Sequence, residues 1–553
     1  MNRSVVVKSL VFASALGALI FLTGCEEFAK EEDFYTIKTP PEQTRQIQTL
    51  KLEPKADGNE PIPDVNKPIE VNKPAQKEIG LSIEQCRAMT LTNNLDLKVQ
   101  LIAPAIAAQK VSEEEAKFES SFFSKLSYND KRQPDPVLID RVSTYRSIGA
   151  DLGVDIPLRT GGKVTFDVAD NRIDTDYINY SAISSLSISQ PLLRGAGKRT
   201  NTHSIRIAEY ERRITDAQTK LEVIRVLANA DRGYWRLYAA RRELEVRKKE
   251  YELAQVQLKQ TRRMVEMGER AEVEVVRSEA GVAERLQFII IAENNLRDRE
   301  RELKQIMNES GLAMSTPTVI VPMTEPDPVL YELNRPLLTV LAEQNRMEML
   351  EVELQIAEAI SSVDYYRNQA LPLVTMDYTY RLNGLGATRS DAYDMMSDMN
   401  YRDHVAGLNI VVPLGNEAAK SRLMQAFYQR QQKLASKENR RTLIEKEVLA
   451  AADQLEALWQ GILATRQNAI LAGRLYEAEK RQFEVGIRTS TDVLDAQAKF
   501  ATAQSDEIRA LTEYQIAQID LAYATGMLLG ADKVRWEPSV PSADTPVSPS
   551  QSN

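Results

Sequence analysis

The sequence predicts a mainly α-helical fold with a transmembrane β-barrel contribution, written twice along the chain. Three observations point to it. Two very long helical patterns, Lys198 to Gly268 and Asn416 to Gly486, each close on a glycine turn. Runs of alternating apolar and polar residues come before each of them. Whole segments also recur in the same order. "ISQPL" (Ile188–Leu192) echoes "IVVPL" (Ile410–Leu414), and "VLANAD" (Val226–Asp231) echoes "VLAAAD" (Val448–Asp453), both at an offset of 222 residues. By the glycine turns, "MGERAEVEVVRSE" (Met267–Glu279) and "VGIRTSTDVLDAQ" (Val485–Gln497), the offset has slipped by about one helical turn, so the buried face is kept. Each half therefore reads helix, strands, long helix, glycine turn, returning helix.

Taken in chain order, the first feature is an export signal. Arg3 and Lys8 precede an apolar run from Leu10 to Leu22, too short for a stable membrane anchor. It ends in "LTGC" (Leu22–Cys25), which resembles a bacterial lipoprotein signal, with Cys25 as the lipidated first residue of the mature chain. Glu26 follows, not the aspartate that marks inner-membrane retention in such proteins, which favours the outer membrane. The stretch up to residue 79 is charged and proline-rich, with "VNKP" at Val65–Pro68 and again at Val71–Pro74, and reads as an extended linker. The expected divisions are a signal peptide over 1–24, lipidated N-terminus and linker over 25–79, a first repeat over 80–312, an inter-repeat linker over 313–333, a second repeat over 334–531, and a disordered tail over 532–553.

The long helices come from apolar residues at 3/4 spacing. Leu221, Ile224, Ala228, Trp235 and Tyr238 keep it, as do Tyr251, Ala254 and Leu258, and most other positions are charged or Gln. Such rods, roughly 105 Å each, need lateral neighbours and keep a wet face. Cys86 falls in an earlier helical pattern as a free, half-buried thiol.

The strands alternate cleanly. Phe122, Leu126 and Tyr128 face one way, and Phe123, Lys125, Ser127 and Asn129 the other. Leu152 to Leu158, Val164 to Val168 and Leu186 to Ile188 complete four sets in the first half. Val374 to Leu382 and Ala406 to Val412 make two in the second. This suits a membrane β-barrel, or a β-sandwich with one wet face. Six strands cannot close a transmembrane barrel, so strands in lipid require an oligomer that pools them. "LRTGGK" (Leu158–Lys163) reads as the turn of an extra hairpin, either in the sheet or outside the lipid.

Composition excludes several functions. The 553 residues carry 70 Lys+Arg against 79 Asp+Glu, a net charge of −9, which leaves no basic surplus for nucleic acid. Mean hydropathy is −0.36, unlike a bundle of membrane-spanning helices. Two cysteines and two histidines are too few for a zinc cluster, a disulfide framework or a catalytic triad, and no cofactor is expected. "GAGKRT" (Gly195–Thr200) is no phosphate loop, because Leu192 stands where the first glycine belongs and Arg199 where Ser or Thr does.

On the duplicated plan, "SQPLLRGAG" (Ser189–Gly197) and above all "VGxRTxxDVLDAQ" (Val485–Gln497), most of residues 80–530 resembles the TolC family of outer-membrane efflux proteins. That resemblance implies a homotrimer with a β-barrel in outer-membrane lipid, continued by a periplasmic α-barrel. It implies a passive exit duct of a tripartite efflux or type I secretion system, joined through a periplasmic adaptor to an inner-membrane pump. The turns would lie at the periplasmic tip. Asp492 and Asp495 would ring a closed entrance, Arg488 would latch it by pairing with Glu274, Arg277 would face Asp495, and Gly268, Gly486 and Thr489 would meet the adaptor. Phe483 stands where some members carry a hydrogen-bonding tyrosine. The rival reading is a lipid-tethered periplasmic coiled-coil scaffold without a channel. No enzymatic activity is expected.

Overall fold

The computed structural model describes residues 77–134, 142–174 and 178–535. The signal peptide, Cys25, most of the expected linker and most of the expected tail lie outside the described residues. Along the chain come β1 (Glu78–Leu81), α1 (Ile83–Asn93), α2 (Leu95–Gln100), α3 (Ala103–Ala116), β2 (Ser121–Pro134), β3 (Val142–Pro157), β4 (Lys163–Asp174) and β5 (Ile178–Pro191). A short α4 (Lys198–Asn201) leads into α5 (His203–Glu266), followed by α6 (Val273–Met307) and β6 (Val319–Pro322). The second half holds α7 (Arg335–Asn345), α8 (Met347–Gln369), β7 (Leu373–Gly386), α9 (Arg389–Ser397), β8 (Arg402–Val411), α10 (Glu417–Glu484), α11 (Ser490–Ala524) and α12 (Leu528–Ala531).

Helices α5 and α10 run 64 and 68 residues, on the order of 100 Å each. Both start just after the last strand of their half and end at a glycine with positive φ, Gly268 at 76° and Gly486 at 86°. An L-residue disfavours that backbone, which is why the reversal is written with glycine. Helix α6 returns along α5 and α11 along α10, and α11 also packs on α5, which joins the two hairpins.

The six long strands form one antiparallel sheet in the order β2-β3-β4-β5-β7-β8. Four come from the first half and two from the second, as the alternation predicts. "LRTGGK" forms the β3–β4 turn inside this sheet. Across the strands, Phe122, Val154, Phe166, Leu186 and Tyr380 stand in register on one face. On the other face Thr165 donates to Asp155 (2.7 Å), Ser185 to Asp167 (2.5 Å) and Ser189 to Asp377 (2.5 Å). The apolar face carries Phe122 at 61% and Leu126 at 81% exposure in the single chain. Among the described residues no helix is long and apolar enough to cross a membrane.

The main core gathers at mid-height on α5. Leu227, Ala228, Tyr234 and Leu237 meet Leu303 and Met307 of α6, Leu81, Cys86, Ile320 and Leu528. Three expectations change here. Cys86 is fully buried rather than half-buried, in a core that also takes Leu81 of β1 and Ile320 of β6, strands that helical spacing alone does not reveal. Residues 78–81, which straddle the expected end of the linker at 79, pair as a parallel strand with residues 319–322 of the expected inter-repeat linker, Ile79 opposite Ile320. The start of the expected tail is also packed: Asp532 is buried beside Arg87 (2.7 Å), which forks onto Asp231 (2.8 and 3.0 Å).

Tyr234 ties the small β1–β6 sheet to the long helix. Its hydroxyl donates to the Leu81 carbonyl (3.0 Å) and accepts from the Thr324 N–H (2.9 Å). Tyr234→Phe strands both groups in a buried place, so it should cost about 1–3 kcal/mol and lower the thermal unfolding midpoint. An unchanged midpoint would count against this anchor.

Candidate functional site

The two glycine turns touch. Glu274, in the first turn of α6, is buried, and its carboxylate accepts from the Ser490 N–H (3.1 Å) and from the Ser490 hydroxyl. Burial works against its charge, but the Ser490 bonds, with Arg277 and Arg270 nearby, hold its pKa below the ordinary carboxylate value. Arg270 reaches the opposite way. Its guanidinium donates to the carbonyls of Arg488 (2.8 Å) and Phe483 (3.3 Å) and lies over the Phe483 ring at 5.0 Å. The first-repeat turn thus grips the second at two points, one anionic and one cationic.

The expected Arg488–Glu274 pair is absent. Arg488 folds back on its own hairpin, 3.1 Å from both Glu479 and Gln482 of α10. The chain reverses at Gly486, so those groups lie beside its stem, while Glu274 is already occupied by Ser490. Arg277 pairs with Glu274 (3.0 Å), one helical turn away, rather than facing Asp495. Phe483 is fully buried, and its carbonyl and ring serve Arg270.

Asp492 and Asp495 sit on α11 as their spacing requires, with different surroundings. Asp492 closes a capping box: its carboxylate takes the Thr489 N–H (2.9 Å) and hydroxyl (2.8 Å), and the Thr489 hydroxyl oxygen accepts the Asp492 N–H (3.3 Å). The Thr489 backbone N–H, then its hydroxyl, hold the Asp492 carboxyl below its usual range. Asp495 is exposed. Gly268 and Gly486 are exposed as well, and a Cβ added to either would meet nothing within 4 Å.

A buried polar knot above the turns fixes α11 against the other hairpin. Arg285 donates to the Leu494 carbonyl (3.1 Å) and stands 3.4 Å from Glu250, while Gln497 donates to the Glu250 carbonyl (2.5 Å). Gly281 permits the close approach, since a Cβ there would come within 2.8 Å of Leu494. Neither Arg270 and Ser490 nor this knot was read from the sequence. The signal for Arg270 was the duplication itself, because each of Arg270 and Arg488 follows its glycine by two residues. Among the described residues no group of His, Cys, Asp and Glu is arranged to hold a metal ion. In "GAGKRT", Arg199 pairs with Asp364 at a strand-to-helix junction.

Residues 338–527 match the family described as Outer membrane efflux protein. A TolC outer membrane protein of Vibrio cholerae serotype O1 is 25% identical over 423 residues, covering 73% of this chain and 91% of that one. The chain is thus similar to outer membrane efflux proteins. The Escherichia coli (strain K12) TolC is 23% identical over 362 residues, 64% of this chain and 71% of its own. In fold, the chain is similar to the Campylobacter jejuni CmeC outer membrane channel, with a TM-score of 0.59 at 15% identity over 81% of this chain and 86% of that one. It is also similar to the Neisseria gonorrhoeae MtrE outer membrane channel in its open state, with a TM-score of 0.56 at 13% identity over 81% and 89%. Its place is the outer membrane, and the paired turns form the tip of its helical hairpins, farthest from the sheet.

Proposed function

We propose that three copies of this chain form the exit duct of a tripartite efflux or type I secretion system, passive in itself and opened by a periplasmic adaptor that links it to an inner-membrane pump. One observation carries the reading: an apolar-faced sheet at one end of each long helix, and two gripped turns at the other. The sheet is suited to lipid and the helices to a periplasmic wall. Cys25 would anchor the chain to the outer membrane by its lipid.

The turns act as the gate in this reading. Glu274 and Arg270 hold the two hairpins of a protomer together, and Asp495 and Asp492 supply carboxylates around the axis, which favour cations and repel anions. Arg488 steadies its own hairpin. Gly268 and Gly486 offer open, unpacked surface for the hairpin tips of an adaptor. Thr489 lies beside them, its hydroxyl engaged as the helix cap, so its methyl and backbone are what a partner would meet. Transport through such a duct needs no catalytic residue and no cofactor.

Planar-bilayer recording tests the function. The purified protein is expected to give discrete conductance steps, small at rest. A protein that inserts into no bilayer and passes no current at any voltage would favour the tethered scaffold.

A further inference from the structure

Two of the six long strands, β3 and β4, belong to the hairpin that the sequence left either in the sheet or outside the lipid. Their turn decides its depth. The Gly197 N–H donates to the Thr160 carbonyl (3.0 Å), the Thr160 hydroxyl bonds Gln190 (3.0 Å), and the Arg159 guanidinium lies 5.9 Å from the Phe118 ring. A Cβ on Gly161 would fall 2.2 Å from the Gly195 carbonyl oxygen. The turn is therefore seated at the junction where the other strands meet their helices. From there β4 is paired on both sides along its full length, from Lys163 opposite Pro157 and Ser189 to Asp174 opposite Arg146 and Ile178. Twelve residues rise about 40 Å, or about 31 Å when tilted as in a barrel, enough for the roughly 25 Å apolar band of an outer-membrane barrel.

The facing pattern agrees. Leu152, Ile156, Val164, Phe166 and Val168 of the added hairpin share the face of Phe122, Leu186 and Ile188, and Asp155, Thr165 and Asp167 share the polar face of Ser187, Asp377 and Thr379. Strands β2 and β8 are the two edges of the sheet. An open edge does not persist in lipid, so each must find a strand of another copy.

We propose that the sheets of three copies close, β2 of each against β8 of the next, into one barrel of 18 strands. This rests on the threefold reading above; two copies would make only twelve. With strands about 4.8 Å apart and tilted about 40°, eighteen give a backbone diameter of about 36 Å, and twelve about 24 Å. Inward side chains leave a lumen of about 26 Å rather than about 14 Å. Two packed helices, about 20 Å across, pass the wider one and not the narrower. The outer passage is thus fitted to polypeptide that keeps secondary structure, as well as to small solutes.

Single-cysteine labelling in proteoliposomes tests strand inclusion. Native Cys86 stays silent, since it is buried and its thiol is pushed up to about 12. With a membrane-impermeant maleimide, Leu152→Cys and Phe166→Cys should react at least tenfold more slowly than Asp167→Cys and Asp377→Cys. Only variants that assemble like the wild type are scored, and a strand count in cryo-EM sections of the unmodified protein gives an independent reading. Equal labelling on both faces of β3 and β4, or twelve strands in the section, would overturn the 18-stranded barrel and leave the trimeric duct standing. A particle without threefold symmetry would overturn the duct itself.

Discussion

Glu274→Gln should open the channel. The carboxylate is buried and takes two hydrogen bonds from Ser490, so losing its charge weakens the grip that fixes the second-repeat turn. Hydrogen bonds to a charged group contribute about 1.5–3 kcal/mol, and even the low end shifts a closed–open balance roughly tenfold per protomer. Arg270→Ala should act in the same direction, because it frees the carbonyls of Phe483 and Arg488 and uncovers the Phe483 ring. Arg488→Ala should do much less. Its ion pair with Glu479 is partly exposed and lies within one hairpin, a contact worth about 0–1 kcal/mol. Single-channel recording of the three variants ranks them. A large opening by Arg488→Ala, with Glu274→Gln and Arg270→Ala silent, would reverse the assignment of the latch.

The second large effect is expected at mid-height, where Arg87 is the common partner of two buried carboxylates, Asp231 and Asp532. Arg87→Met leaves both acids without their cation, and breaking a buried pair in this way costs about 3–5 kcal/mol. The same cluster gives a pH signature. Burial, then the neighbouring Asp231 charge, push the Asp532 carboxyl up to about 7. An unfolded aspartate titrates near 3.9. Between those two values the folded chain holds more protons than the unfolded one, so this group's contribution to stability falls as pH rises and levels off above about 7. Asp532→Asn removes that dependence. Its stability relative to wild type should therefore improve from pH 5 to pH 8, as read by thermal unfolding at both. A difference that stays constant across that range would mean that Asp532 is ionised throughout.

Much of this architecture is legible in the sequence because it is periodic. Strand number and facing follow from strict alternation, and the long helices from 3/4 spacing over many turns. Their ends follow from glycine, which positive φ demands at Gly268 and Gly486. What escapes is short or depends on a choice between equals. Strands β1 and β6 have four residues each, too few to show a period, and their Leu81 and Ile320 join the core that holds the fully buried Cys86. At the gate the duplication supplies an arginine at the same position in each turn and an acid four residues further on, Glu274 and Asp492. Spacing gives both copies equal claims. The difference lies in the neighbours: Thr489 can cap its helix and occupies Asp492, while Ala271, its counterpart, cannot, which leaves Glu274 free to reach Ser490. Arg488 has Glu479 and Gln482 alongside, so the reach across the gap falls to Arg270.

The central claim is that the chain works as a pooled, threefold tube. Negative-stain imaging of the detergent-extracted protein, with its mass from light scattering, tests it most directly. Threefold needles well over 100 Å long, with a mass near three chains, are the expected result. Compact particles of one-chain mass would contradict it, and the duplicated hairpins would then belong to a tethered scaffold instead of a duct.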